Sequence, residues 1–572
     1  MPAPLQEPSD LDNRWFRLPA LLTLEFADPV DSATQASPSV HLAPEIFAAD
    51  QPGDRPTHQP SLREFKPLLD AALPYRTSTT ADWQPTLSWC GAKLSPVTLQ
   101  EAVKALLQPL TTAMLPEHST SLQCGAVGLD RQGLQAALQH LTGIVVGIPA
   151  GWSDAYRLNL REAILSAVLV AQPSQITIVA DAIAALLSEL PDQNGHALVL
   201  PRNLPPSQTS PALHWQGKTL VLQAGAIATE LMLADLPPVL ANLSSSDFHL
   251  RAIAYGGDAI DQDILIQLFY PICGRQSSQT TSGETLWQEL GFDALELPSP
   301  GEPDPTKRYP LQQRLLASVA GQTLLALARQ SKLALQSQDQ VRLTLADCPL
   351  VITRQDLGSR VFLPYVHRLN RELNTLLHQT QCTPLDILQV ICTGGTASLG
   401  AIARWLRQKL PNATIIQDTY PPPLSPHLPC LPTCSRVAYG LAALPLHTQL
   451  FNTFQTYRTD LDLLQEVIAV FTDTPLSEAE IWSRLAHRGI TQSGDRSRIQ
   501  LLLEGQLPEG VLSSPLHQQQ VHEEVHHPFT GHALRAASLF YQFGNHTYYP
   551  NPNHYQLYRS FLATTRKQPM SL

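Results

Sequence analysis

The clearest pattern of apolar and polar positions lies in residues 387–410, where an apolar run passes through a glycine pair into a helix-spaced segment. The run at 387–392 predicts a buried strand, and Gly394 and Gly395 predict the turn after it. The helix is predicted from apolar residues at three- and four-residue spacing, Leu399, Ile402, Leu406 and Leu410. Such a turn can present backbone N–H groups to an anion or a nucleotide, or it can be purely structural.

The same layout occurs some 240 residues earlier in the chain. Residues 144–148 predict a strand, Pro149, Ala150 and Gly151 a turn, and Ser153 the cap of a helix. Two strand–turn–helix units in one chain suggest two related α/β lobes.

The remaining segments predict a chain of alternating strands and helices. Further strands are predicted at residues 18–26, 83–89, 219–233 (a hairpin turning at 224–226), 248–255, 341–345 and 545–549. Further helices are predicted at residues 61–73, 95–108, 181–190, 261–269, 311–335, 353–380, 435–444, 459–471, 477–487, 496–503 and 553–564. Proline-rich loops are predicted at 201–211 and 421–432, and a polar insertion at 271–309.

The composition of the chain argues against some classes of function. Hydrophobic residues make up 43% of the 572, which supports a large core, and the net charge of −11 argues against a nucleic-acid or anionic-membrane binder. The chain shows neither a membrane-length apolar run nor a basic start with an apolar signal core, so we expect a cytoplasmic protein without membrane contact. The eight cysteines are scattered and predicted to be reduced. Cys430 and Cys434 could form a metal clip or a disulfide, but no second pair completes a zinc site.

The order of the motifs resembles the nucleotide-binding domain of the DnaK-type heat-shock chaperones (the heat shock protein 70 family) over roughly residues 60–445. The resemblance rests on VGIPA at residues 146–150, GGDAID at 256–261, Lys332 on a helix, TGGT at 393–396 and VAYG at 437–440. It implies an actin-like two-lobed ATPase fold, with two ribonuclease-H-like lobes and ATP or ADP with Mg²⁺ between them. The nucleotide-binding residues implied are Gly225, Gly256, Gly257, Lys332, Gly394, Gly395 and Thr396.

The resemblance also implies a domain plan. Residues 1–212 would form lobe I, and 213–448 lobe II, with the insertion at about 271–309 and a return helix at about 435–445. Residues 449–572 lie outside the resemblance and are too short and too helical for the family's peptide-binding module; their own pattern predicts a mostly helical domain, for which a winged-helix-like module is one form.

The departures from the family pattern fall on the phosphate side. No Asp-x-Gly-Thr-Thr hairpin is found before residue 60, and the second hairpin carries Gln223 and Ile227 where the family has a carboxylate and a glycine. The family's catalytic glutamate aligns with Ala180, or with Asp181 if the register slips by one. We therefore assign no catalytic residue and expect a chaperone-like or regulatory protein that acts through protein partners with weak or no ATP hydrolysis. Lys332 is equally well interpreted as a solvated lysine.

Three alternatives remain open. An N-terminal segment carrying the missing hairpin would make the protein an active ATP-dependent chaperone. His522-Glu523-Glu524-Val525-His526 matches a zinc-peptidase pattern, although Pro528 would end its helix; adventitious metal binding or a solvated loop also fits. Residues 477–507, with Arg496 and Arg498, fit a helix-turn-helix contacting nucleic acid, but a protein-interaction module fits the acidic chain better.

Overall fold

A computed structural model provides the architecture of the chain. It describes residues 21–25, 39–42, 61–76, 83–90, 92–115, 124–126, 129–192, 215–274, 286–345, 348–418, 435–471, 474–506, 521–522, 538–544 and 546–565. Both predicted proline-rich loops, the pair Cys430 and Cys434, and residues 523–526 of the zinc-peptidase pattern lie outside these ranges.

The described residues are strands and helices in mixed order, so the predicted α/β class is confirmed. The strands are β1 Leu21–Glu25, β2 Ser39–Leu42, β3 Ser61–Arg63, β4 Tyr75–Arg76, β5 Trp83–Gln84, β6 Thr86–Trp89, β7 Ala92–Leu94, β8 Ile144–Ile148, β9 Ile176–Ala180, β10 Gly217–Ala224, β11 Thr229–Leu236, β12 Phe248–Ile253, β13 Gln340–Leu345, β14 Cys348–Thr353, β15 Gln389–Thr393, β16 Thr414–Gln417, β17 Leu476–Ser477, β18 Val521–His522, β19 Phe540–Phe543 and β20 Thr547–Pro550. The α-helices are α1 Pro96–Ala113, α2 Arg131–Gln139, α3 Asp154–Ser166, α4 Asp181–Leu187, α5 Gly257–Ile264, α6 Tyr270–Cys273, α7 Pro305–Leu316, α8 Val319–Ala334, α9 Arg354–Leu357, α10 Leu363–Gln379, α11 Gly400–Lys409, α12 Arg436–Ala443, α13 Thr448–Gln455, α14 Asp460–Val470, α15 Glu478–His487, α16 Ser493–Leu503 and α17 Pro552–Thr565.

The chain divides into two compact units that interleave in sequence. The described residues of 145–151 and 177–455 belong to the first unit, and those of 20–144, 152–176 and 456–572 to the second. The predicted lobe and domain boundaries at 212 and 448 stay predictions.

The first unit is built on a five-stranded sheet in the order β12-β11-β10-β15-β16. Strand β11 runs antiparallel to both of its neighbours, whereas β10, β15 and β16 run parallel. Leu220 and Leu222 of β10 are buried in one core, and Val221 between them is buried in another. Both faces of the sheet are therefore covered, which is why its central strands read as nearly continuous apolar runs.

The second unit has its main core between N-terminal and C-terminal segments of the chain. Leu73, Tyr75 and Leu158 pack there with apolar residues of helices α14 to α17. In the C-terminal part, strands β17, β20 and β19 form a sheet in that order beside the helices. The predicted helices are thus present, accompanied by a small sheet.

Two predicted helices are wrong in extent. Residues 61–73 instead form strand β3, which pairs with β1, and a short 3₁₀ helix at Lys66–Asp70 with Pro67 as its second residue. The helix at 311–335 is two helices, α7 and α8, because Ser318 begins a new helix by accepting a hydrogen bond from the Gly321 N–H (3.0 Å).

The expectation that all cysteines are reduced is also wrong. Cys273 at the end of α6 and Cys348 at the start of β14 form a disulfide, with their Cα atoms 5.9 Å apart. The two cysteines lie 75 residues apart, so their spacing in the sequence could not predict this pairing. The polar insertion likewise contributes core residues, since Trp287 and Phe292 are buried against Tyr270.

Candidate functional site

The residues predicted to bind nucleotide converge on one corner of the five-stranded sheet. The turn between β10 and β11 lies at its centre, and the Gly257 N–H donates to the Gly225 carbonyl oxygen at 3.0 Å. From the other side, the Thr396 hydroxyl donates to the same oxygen at 2.7 Å, and the Thr396 N–H donates to the Ala224 oxygen at 3.1 Å. Three segments far apart in sequence therefore meet at this turn.

Close backbone approach explains why two of these turns contain glycine. A Cβ on Gly394, which has φ of +98°, would lie 2.2 Å from the Ala224 carbonyl oxygen, and one on Gly256 would lie 2.6 Å from the Ala226 oxygen. Both glycines are required by packing, whether or not a ligand binds. Gly395 differs, because a Cβ added there would meet nothing within 4 Å.

The turn is held closed by its own hydrogen bonds. The N–H groups of Gly257 and Asp258, at the N-terminus of α5, donate to the carbonyl oxygens of Gly225 and Ala226 at 3.0 and 2.8 Å. The Gly225 N–H donates to Ala228 at 3.0 Å across the hairpin. Donors that could hold a phosphate are thus engaged within the protein, and a ligand would have to replace these contacts.

Lys332 is neither a solvated lysine nor free to meet a ligand. It is 9% exposed on α8, its Nζ lies 2.7 Å from an Asp261 carboxylate oxygen, and it donates to the Gly257 carbonyl at 3.0 Å. Arg329 adds ion pairs to Asp258 (3.2 Å) and Asp261 (3.3 Å). The lysine therefore fixes α8 to the start of α5.

A pair of carboxyl groups, Asp181 and Glu230, lies in the same unit, and the sequence did not single out Glu230. Glu230 on β11 is fully buried and accepts a hydrogen bond from the Ala182 N–H at 3.1 Å. Burial raises the pKa of Glu230 well above its usual range, the nearby Asp181 charge raises it further, and backbone N–H groups of Ala182 and Ala150 oppose the shift. The feature of the sequence that could have predicted this buried carboxyl is Glu230 itself, a single acidic residue inside the apolar run of β11.

Asp181, to which the family's catalytic glutamate aligns if the register slips by one, lies beside Glu230 in the structure. It is the first residue of α4, and a Cβ on Gly147 would lie 2.3 Å from its Oδ1. The end of β8, the start of α4 and the middle of β11 therefore bring Gly147, Asp181 and Glu230 together. Gln223, which faces Glu230 across the β10–β11 ladder, provides an amide where the family pattern has a carboxylate.

The segment resembling the family's closing helix packs tightly against α4. A Cβ on Gly440 of α12 would lie 1.6 Å from the Ala184 carbonyl oxygen, so only glycine allows this approach. Arg436, at the first position of α12, forms ion pairs with Asp418 at 2.6 Å and with Glu189. These contacts tie α12 to the end of β16 and to α4.

The structure adds little support for a metal site or for a nucleic-acid-binding site. Within the described ranges, no group of three or more His, Cys, Asp or Glu side chains could hold a metal ion. Arg498 of α16 pairs with Asp460 and donates to the Arg458 carbonyl at 2.8 Å, so this arginine is engaged inside the second unit. None of the helices in the described part of the chain has the length and hydrophobicity needed to cross a bilayer.

A scan against models of known protein families finds no match to this chain, and a search of curated proteins also finds none.

Proposed function

We propose that this protein is a DnaK-like protein with an actin-type nucleotide-binding fold, which binds nucleotide weakly or not at all, hydrolyses little or none, and acts through protein partners. The observation that carries the proposal is the convergence of Gly225, Gly257, Lys332, Gly394 and Thr396 on one corner of a single sheet. These residues were selected from motif order alone, and they lie in four separate segments of the chain.

The topology of the sheet supports the proposal. Three consecutive strands form an antiparallel meander, and two later strands extend it in parallel on the other side of β10. This order, with only β11 reversed, fits one ribonuclease-H-like lobe. The second lobe and the two-lobed arrangement remain part of the proposal.

Weak hydrolysis follows from the electrostatics of the corner. Phosphoryl transfer requires ordered donors and carboxylates around Mg²⁺. Here the N–H donors at the start of α5 are engaged by Gly225 and Ala226, Gln223 replaces a carboxylate, and burial favours the neutral form of Glu230. A cytoplasmic chaperone-like or regulatory role through protein partners is the function most compatible with these features.

Calorimetric titration with ATP and Mg²⁺, run beside a steady-state hydrolysis assay, tests the proposal. We expect binding weaker than about 0.1 mM and no turnover above background. Gly395→Val is the informative variant, because a side chain there meets no neighbour and would fill the space beside the loop. Gly494→Val in α16, another position with open space, is the matched control. Turnover at the level of an ordinary DnaK-type ATPase, removed by Gly395→Val alone, would refute the proposal.

The carboxyl pair favours a second candidate, an active ATP-dependent chaperone that uses a segment preceding Met1. Asp181 and Glu230 lie together, as a Mg²⁺-dependent site would need. An in-frame Asp-x-Gly-Thr upstream of Met1, with hydrolysis in the longer protein that Asp181→Asn abolishes, would establish it. An extended protein without hydrolysis would leave the first candidate in place.

For the C-terminal part we propose a winged-helix-like protein-interaction module. Helix α14, strand β17, helices α15 and α16, and the β19–β20 hairpin follow in the order of a winged helix, with β20 between the other two strands. The engagement of Arg498 with Asp460 supports protein rather than nucleic-acid contact. A gel-shift titration with random-sequence duplex DNA should therefore show no binding at physiological salt.

A further inference from the structure

An open groove runs between helices α10 and α11 of the first unit. It encloses about 560 Å³, and its walls include Leu363, Val366 and His367 from α10, and Arg404, Trp405 and Gln408 from α11. None of the residues that form the candidate nucleotide corner lines it.

The groove presents apolar surface to solvent. Leu363 is 48% exposed, and Val366 and Ala401 are partly exposed beside it. Trp405 is 9% exposed and belongs to the core of the first unit, so only a small part of its ring reaches the groove. Apolar side chains that remain exposed in a concave wall are typical of a surface that a partner covers.

The rim of the groove is positively charged. Arg404 and Lys409 line it, and no aspartate or glutamate is among its lining residues. Arg404 is exposed and forms no ion pair with any part of the chain that the structure describes, whereas Lys409 donates to the Asn374 side chain at 2.7 Å. Helix α11 has three basic residues and no acidic one, in a chain whose net charge is −11. Charge complementarity therefore indicates an acidic occupant.

We propose that the α10–α11 groove docks an acidic amphipathic helix of a partner protein. The groove follows the chain from Gly358 to Asn370, thirteen residues that span about 18 Å at the helical rise. That length fits about three turns of a partner helix, whose apolar side covers Leu363 and Val366 and whose carboxylates face Arg404 and Lys409. The inference stands independently of nucleotide binding.

The probe is a fluorescein-labelled, lactam-stapled peptide of about 14 residues, with leucines at three- and four-residue spacing and glutamates elsewhere. Its comparator keeps the same staple and has lysine in place of every glutamate outside it. Fluorescence anisotropy with the full chain should give a dissociation constant of about 1–100 μM for the acidic peptide, weakening as salt rises. The lysine peptide should not bind.

Two variants and a matched control locate the contact. Arg404→Glu and Leu363→Asp change exposed residues of the groove, so both should fold, and each should weaken binding at least about tenfold. Arg407→Glu reverses a charge at an exposed position on the same helix but outside the groove and should leave binding within about twofold. Thermal unfolding of each variant verifies its fold.

Several results would overturn the inference. These are no binding of the acidic peptide at about 1 mM, equal binding of the lysine peptide, or equal weakening by Arg407→Glu. Arg404-dependent flotation with phosphatidylserine vesicles would instead assign the surface to a membrane. A dimer in sedimentation equilibrium that Leu363→Asp dissociates would assign it to a second copy of the chain.

Discussion

The ion pair between Asp263 and Arg308 offers a direct measure of how much a buried charge network stabilises the first unit. Their side chains are 0% and 8% exposed. Asp263 accepts hydrogen bonds from Arg308 at 2.8 Å, from the Tyr255 hydroxyl at 2.7 Å and from the Gly301 N–H at 2.9 Å. Arg308 also donates to the Glu302 carbonyl at 2.8 Å and lies 4.9 Å from the centre of the Tyr255 ring.

Replacing Arg308 with methionine removes the counter-charge but retains much of the side-chain volume. Asp263 would then be a buried carboxylate with only two neutral donors, and breaking a buried pair in this way costs about 3–5 kcal/mol. Arg308→Lys, which keeps the charge but loses the planar fork, should fall between wild type and Arg308→Met. Arg360→Met breaks a surface pair with Asp356 (3.9 Å, side chains 53% and 39% exposed) and should cost no more than about 0.5 kcal/mol.

The loss of stability caused by Arg308→Met should also depend on pH. Burial raises the pKa of Asp263 above its ordinary value, and Arg308 opposes this shift. Without Arg308 the pKa of Asp263 in the folded protein rises further. Above pH 3.8, the ordinary pKa of this carboxyl, the unfolded variant therefore releases a proton that the folded variant still holds. The stability conferred by that proton is lost as pH rises through the folded-state pKa, so the deficit should be larger at pH 8 than at pH 5.

Urea unfolding at both pH values, with hydrogen exchange followed in peptides covering 255–274, measures the change in the first unit. A deficit for Arg308→Met no greater than that for Arg360→Met, or one that grows towards pH 5, would refute this reasoning.

Three further predictions concern the same unit. Gly394→Ala should lower stability by about 2–4 kcal/mol in thermal unfolding, because positive φ and a 2.2 Å contact with a carbonyl oxygen both penalise a side chain, whereas Gly395→Ala should change it by less than about 0.5 kcal/mol. Glu230→Gln should raise stability at pH 8 and not at pH 4, since the raised pKa of the wild-type carboxyl makes its ionisation unfavourable; destabilisation at pH 8 would mean that the ionised form is needed. Non-reducing digestion should yield a cross-linked peptide containing Cys273 and Cys348, and Cys273→Ser should cost about 2–4 kcal/mol; two free-thiol peptides would contradict the disulfide.

Local patterns predicted the elements well where turns and caps were strong. Ser153 caps α3 and Ser477 caps α15 with a capping box, as their sequences indicate. The failure at residues 61–73 has a tertiary cause. Residues 61–63 pair with β1 through contacts some 40 residues distant, and that pairing overrides the local helical spacing.

The sequence predicted which residues lie at the candidate site, but not which contacts they make there. Motif order selected Gly225, Gly257, Lys332 and Thr396, and they do meet. The motifs did not predict that Lys332 pairs with Asp261, or that the N–H groups at the start of α5 donate to the Gly225–Ala226 turn. Both contacts depend on distances between atoms that a motif does not encode.

By itself, the sequence determined the α/β class, most element positions and the glycine turns, because these depend on hydrophobic period and on conformations that few residues can adopt. Only the tertiary structure decided which strands pair, that Cys273 reaches Cys348, that Glu230 lies beside Asp181, and that α10 and α11 enclose a basic groove. Each of these joins residues distant in the chain, and burial, charge pairing and pKa shifts arise only once such residues are brought together.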